Sequence, residues 1–332
     1  MIVAEIAGAA GTRAGGRAPE TWLGGHAPAI WLGGRFRLDE RITAGGPGTR
    51  ITAGGLSVWK ATDELLCRPV TVHLLPGGVP VPPRVVGAVR SAARVSDPRL
   101  AAIYDTDFAA GRPYIVSEWA PGTHLEDLVL SGLTHPALAA AMIADAADAL
   151  AVAHRAGRPH LRLTPRSLRW DPGCGLKITG LGLDAALCGA ARPVDGVGGP
   201  ADPVAADTSA LGRMLYALLT GYWPGEEATA LPPAPRYKGR VCTPRQIRAG
   251  VPARLDAITY RALRGQAPDA PLRAQTPAGL AMALRMVQRP SHQLDRPEDE
   301  AGPGRAAPRR HARHARARAG FGHRTTLLRP AM

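Results

Sequence analysis

Short β-branched and aromatic runs crowd residues 36–119 of this chain and the long helical patterns follow them, an order that narrows the possible folds sharply. Phe36-Arg37-Leu38 opens one strand, Leu56 to Ala61 gives a second, and Val70 to Leu75, bounded by Pro69 and Pro76, a third. Val85 to Val95 predicts a short helix with Val85, Val86 and Val89 on one face, ending near Asp97-Pro98. Leu100 to Tyr104 and Tyr114 to Trp119 add two strands, closed by Pro121-Gly122. Beyond that point Ala137 to His154 reads as a helix with Leu138, Met142, Ala146, Leu150 and Ala153 near helical spacing. Leu211 to Leu219 predicts another, opened by Asp207 and Ser209 and closed by Gly221, and Leu255 to Leu263 and Ala278 to Val287 two more. Strands first and helices later define an α+β chain with the two kinds of element segregated. A length of 332 residues suits one bilobal domain or two ordinary ones.

The ends read differently. Residues 1–33 are rich in Gly and Ala and predict a flexible leader, and the Arg/Pro/His-rich residues 289–332 predict a disordered tail. Two short tandem copies stand at nine-residue spacing, WLGG at Trp22 and Trp31 and RITAGG at Arg41 and Arg50, too few for a solenoid. The net charge of +14 suggests nucleic acid until its distribution is seen. Eight arginines and no acids follow Gly304, so 14 less 8, or +6, stays on the rest. The basic residues include only three lysines, Lys60, Lys177 and Lys238. Cys67, Cys174, Cys188 and Cys242 form no C-x-x-C pair, which argues against zinc and disulfides and fits a reducing cytoplasm. The first residues lack a signal-peptide pattern. The most apolar window carries Asp145 and Asp148, and no uninterrupted apolar run reaches the ~20 residues of a membrane span.

The most telling stretch is His160 to Asp184, HLRLTPRSLRWDPGCGLKITGLGLD. It resembles the catalytic core of the bacterial Ser/Thr protein kinases, H-R-D-L-K-P-x-N followed by a hairpin and D-F-G. His160, Leu163 and Pro165 match the scaffold. Further blocks agree in order: Val58 to Asp63, Arg68 to His73, Pro113 to Trp119, Ala153-His154, and Asp207 to Gly212 before Tyr216 to Gly221. By this resemblance residues 34–119 are a small lobe, residues 120–288 a large lobe, and Asp207 holds the catalytic loop.

Over the same frame the chemical groups fail. The resemblance puts Arg162 where the catalytic Asp belongs, Thr164 for the phosphate-side Lys, Ser167 for the metal-binding Asn and Gly180 for the Asp of D-F-G. The nucleotide-pairing Lys falls at His73 and its Glu partner near Ala88. Phosphoryl transfer depends on positioning and on metal ions that neutralise charge, and these positions supply neither ligand nor base. Lys60 lies on the neighbouring strand, where lysines are usually solvated. The nucleotide pocket implied by the family is Val58, Thr71, His73, Ser117, Glu118, Trp119, Ala120 and Arg169, the last under the adenine, where a cation opposes burial unless it turns outward or stacks. Gly182 and Asp207 stand 25 positions apart, short for an activation segment, with no A-P-E, so Arg273 lacks its usual Glu partner. Thr208 and Ser209 read as helix-start residues, His154 and His160 as structural histidines, and Asp145 and Asp148 as a solvated face. Asp184 is a lone carboxylate and a poor magnesium site.

The expectation is a pseudokinase: a regulatory or scaffolding module that requires no cofactor and takes ATP, if at all, without magnesium. The texture of Asp63 to Pro76 is similar to degenerate kinase-like proteins of actinobacteria, which implies protein partners that are envelope-associated or phosphothreonine-reading. The alternatives are a weakly active or non-standard kinase or transferase, and attraction of nucleic acid or an anionic surface to the arginine tail, which has one aromatic, Phe321.

Overall fold

The computed structural model describes residues 30–42, 56–78, 81–187, 202–264 and 276–288. Its first compact unit, Met1–Pro290, contains all of them. Strands β1 (Ile30–Leu32), β2 (Phe36–Ile42), β3 (Ser57–Asp63), β4 (Arg68–Leu74), β5 (Ile103–Ala109) and β6 (Arg112–Glu118) form one antiparallel sheet in the order β1-β2-β3-β4-β6-β5. Period-two alternation sends Phe36, Leu38, Ala61, Val70, Val72, Tyr114 and Val116 to one buried face. The other face takes α1 (Pro83–Ala92), which starts on a proline at its first turn, where no backbone donor is lost.

The leader read over residues 1–33 ends in structure, because Ile30 to Leu32 pair with Leu38 to Phe36. A strand that short has no periodicity of its own, and pairing with β2 creates it. Residues 43–55, with most of the RITAGG duplication, lie outside the described residues, as do the tail and Arg273.

After the hinge come β7 (Thr123–His124), α2 (Leu125–Ser131), α3 (Pro136–Arg155), β8 (Leu168–Asp171), β9 (Gly175–Ile178), α4 (Leu183–Leu187) and α5 (Pro203–Thr220). They are followed by the hairpin β10 (Arg236–Tyr237) and β11 (Arg240–Val241), α6 (Pro244–Ile247), α7 (Ala253–Arg264) and α8 (Pro277–Gln288). Strands β7, β8 and β9 make a small second sheet on the large lobe. Gly122, at φ +87°, admits its approach, since a Cβ there would stand 2.2 Å from the Trp170 carbonyl oxygen.

Alanine-rich α3 is the centre of the large lobe, with Met142, Ile143 and Leu150 buried against Leu211, Leu215 and Leu284. Leu138, expected on that face, is 39% exposed. Among the described residues α3 is the one helix long and apolar enough to cross a membrane, and 67% of its apolar window is buried inside the lobe. Asp145 and Asp148 lie on its exposed side but pair there with Arg285 of α8. Helix α5 begins earlier than its apolar pattern: Asp202 caps it, accepting from the amides of Val204 and Ala205 at 2.9 and 3.1 Å, and Gly221 ends it at φ +82°. Asp207 and Ser209 are therefore inside the helix and cap nothing.

Candidate functional site

Between the sheet and the helices lies a cavity of about 590 Å³. Its roof carries Leu56, Val58, Thr71 and His73, its hinge side Ser117, Trp119 and Ala120, and its floor Leu161 to Arg166, Arg169 and Thr179 to Leu181. Of the expected pocket residues, Glu118 stays out of the lining. Its carboxylate accepts from Lys177 Nζ at 2.5 Å and from the Ala102 amide at 3.2 Å, while Lys177 also donates to the Pro98 carbonyl at 2.6 Å.

The catalytic-loop segment is held from below. Buried Asp207 accepts from the His160 and Leu161 amides at 2.7 and 2.9 Å and meets His154 Nε2 at 2.8 Å. The bond to Leu161 helps to hold that residue at φ +66°, a left-handed conformation that costs a leucine about 1–2 kcal/mol. His160 is fully buried and donates from Nε2 to the Thr179 carbonyl at 2.9 Å, which ties the loop to the strand leading into Gly180. Asp207 and His160 thus hold backbone in place, and His154 braces Asp207.

Ser167 is buried, and its hydroxyl oxygen accepts from the Thr164 amide at 3.2 Å and lies 3.2 Å from the Thr164 hydroxyl. Both positions are thus turned on each other. Arg162 lines the cavity, and its guanidinium makes no hydrogen bond or ion pair with the described residues. Across the cavity, His73 Nδ1 is buried without a hydrogen-bond partner there, and burial pulls the imidazole down to about 4, so it is neutral at pH 7. Ala88 is half-buried in an apolar cluster of Leu75, Val85, Val89, Ile115, Leu183 and Ala186. Ala88 thus sits in the hydrophobic packing of α1 against α4, and Arg84 Nε secures that contact on the Ala186 carbonyl at 2.9 Å.

A side chain at position 180 would have to displace the Asp184 carboxylate. Gly180 has φ +76°, and a Cβ there would lie 2.0 Å from the nearer Asp184 carboxylate oxygen. Asp184 has folded back from the first turn of α4 into the volume that an aspartate at 180 would need. Burial pushes its carboxyl up to about 6, opposed by His160 and Arg162. Magnesium takes several oxygen ligands in an octahedron. One raised carboxyl near a guanidinium, with Ser167 committed elsewhere, does not fit that ion, and the described residues contain no group of three metal-ligating side chains.

Arg169 stays in the cavity lining, with its guanidinium held on the hinge side. Its Nη2 donates to the Gly122 carbonyl at 2.5 Å and its Nη1 to His124 Nε2 at 2.8 Å. Burial, then the Arg169 and Arg166 charges, hold His124 down at about 4, so it accepts as a neutral ring. Trp119 is stacked between two cations, Arg169 Cζ at 5.2 Å and Lys60 Nζ at 5.1 Å from its ring centre. Two of the three lysines therefore grip consecutive hinge residues. Their scarcity was a signal in the sequence, but their target was not.

Sheet lobe, helical lobe and intervening cleft define the fold of a protein-kinase domain. The PknI kinase domain of Mycobacterium tuberculosis superimposes with a TM-score of 0.57 at 17% identity, covering 79% of this chain and 98% of that domain. In sequence, the chain is similar to the Ser/Thr protein kinases PknL of Mycobacterium tuberculosis, 28% identical over 230 residues, and PknB of the same organism, 31% identical over 236. Each match covers 63% of this chain, which spans 57% of PknL and 38% of PknB. No protein-family profile matches the chain.

Proposed function

We propose that this kinase-like chain is a pseudokinase: a regulatory or scaffolding module whose cleft binds rather than transfers. The observation that carries the reading is Gly180, where Asp184 fills the space of the metal-binding side chain, with Arg162 standing where a proton acceptor belongs. Catalysis of phosphoryl transfer needs metal ions to neutralise developing charge, and a guanidinium accepts no proton. The apolar walls at Leu56, Val58 and Ala120 suit a nucleotide base, so ATP without magnesium is the optional ligand. On this reading the partner is a protein, envelope-associated or phosphothreonine-reading, met at the cytoplasmic side, and nucleic acid is not a target.

The test is a thermal-shift titration of the full chain with ATP, with and without magnesium, beside a radiolabel transfer assay. The reading expects any stabilisation to be indifferent to magnesium and no label to move. A second reading, a weakly active kinase, is favoured by the Asp184 carboxylate at the position-180 volume, and it expects stabilisation that requires magnesium together with label transfer.

A further inference from the structure

We propose that the cleft takes a phosphate-bearing anion directly on the Arg162 guanidinium, with no metal ion between them. The inference rests on the non-catalytic reading above and names the ligand chemistry of that site.

Four arginines line the cavity, and three of them are committed. Arg166 pairs with Glu126 at 2.8 Å, Arg213 with Glu227 at 3.1 Å, and Arg169 donates to His124 and the Gly122 carbonyl. Arg162 has no such partner among the described residues, so its fork of donors is available to the cavity. Of the carboxylates in the lining, Glu126 and Glu227 belong to those pairs, and Asp207 is occupied by two backbone amides and His154. Asp184 remains, one negative group facing an unpaired cation.

A second, independent feature lies on the opposite wall. His73 lines the roof, and its Nδ1 is a buried polar atom with nothing to bond to among the described residues. A neutral imidazole offers one N–H donor and no competing charge. His73 on the roof and Arg162 on the floor both line a cavity of about 590 Å³, which is within the range of small-molecule sites. Guanidinium meets phosphate through two parallel charge-assisted hydrogen bonds, and a phosphate with two negative charges outweighs the single repulsion from Asp184.

The sign of the metal effect follows. In a kinase cleft the metal bridges carboxylates and phosphates, so magnesium strengthens binding. Here magnesium bound to the phosphate would cancel the charge that Arg162 attracts.

The experiment is calorimetric titration of the full chain with pyrophosphate, and separately with ADP, first in EDTA and then in excess magnesium. Arg162→Ala, Arg162→Lys and Asp184→Asn are run alongside, with circular dichroism to confirm folding. Expected is binding of both probes in EDTA, weakened several-fold by magnesium, about tenfold or more weaker in Arg162→Ala, partly kept in Arg162→Lys and tighter in Asp184→Asn. Absence of binding to either probe in EDTA by the folded chain overturns the proposal and leaves the non-catalytic reading standing. Affinity in Arg162→Ala equal to that of the unmodified chain overturns it as well. Binding that requires magnesium and weakens in Asp184→Asn overturns both.

Discussion

Replacing Asp184 by asparagine should stabilise the protein, and only above a definite pH. The carboxyl stands at about 6 in the folded state against an ordinary value of 3.8, because burial disfavours its charge. A carboxyl raised on folding binds its proton more tightly in the native than in the unfolded chain. Its contribution is complete below pH 3.8 and is lost as pH climbs through 6. The gap of about two pH units corresponds to roughly 3 kcal/mol at pH 8, at about 1.4 kcal/mol per unit. That is an upper bound, since the residue keeps partial exposure and Arg162 relaxes the penalty. Urea unfolding of the two proteins at pH 8 and at pH 4 should therefore show Asp184→Asn more stable by about 1–3 kcal/mol at the higher pH and by no more than about 0.5 kcal/mol at the lower. The difference between proteins is needed because His73 and His124, both held near 4, act in the opposite direction: their stability is lost as pH falls from 6.5 through 4. An asparagine variant no more stable than the parent at pH 8 would refute the reasoning, since it would make the ionised carboxylate a satisfied partner of Arg162.

Placing an aspartate at position 180 by Gly180→Asp should cost stability without giving phosphoryl transfer, because the new Cβ meets Asp184 and the residue sits at φ +76°; thermal denaturation and label transfer read the two effects. Ala88→Glu should lower stability by about 2–4 kcal/mol in urea unfolding, since the carboxylate enters the apolar cluster of Val85 and Leu183. Asp207→Ala should cost about 3 kcal/mol or more by leaving two buried amides and His154 without an acceptor, and hydrogen exchange at His160 and Leu161 should rise with it.

The frame of this protein is written in local patterns, and the content of its cleft is not. Val70 to Leu75 announces a strand through β-branching, and β4 places His73 on it as expected. Asp207 was traced to the catalytic loop by resemblance, although its position beside apolar Leu211 also imitates a cap, and the true cap, Asp202, lies before a stretch with little apolar pattern. Strand β1 was hidden in glycine because three residues carry no period until a neighbour pairs with them. Asp184 was legible as a carboxylate near the right place, but its return onto Gly180 depends on the backbone turn that two glycines permit, at φ +76° and +66°. Arg169 reads from sequence as an obstacle under the base, and its hold on the hinge side depends on the Gly122 carbonyl and a neutral His124, a meeting between residues 45 or more positions apart.

The central claim, that the cleft binds without transferring phosphate, is tested most directly by single-turnover transfer of the γ-phosphate from radiolabelled ATP, using stoichiometric full-length protein with magnesium or manganese. The account predicts no incorporation into the chain or an added Ser/Thr peptide, the same result as with Asp184→Asn. Metal-dependent incorporation that disappears in Asp184→Asn would contradict it, by making that carboxylate a working metal ligand.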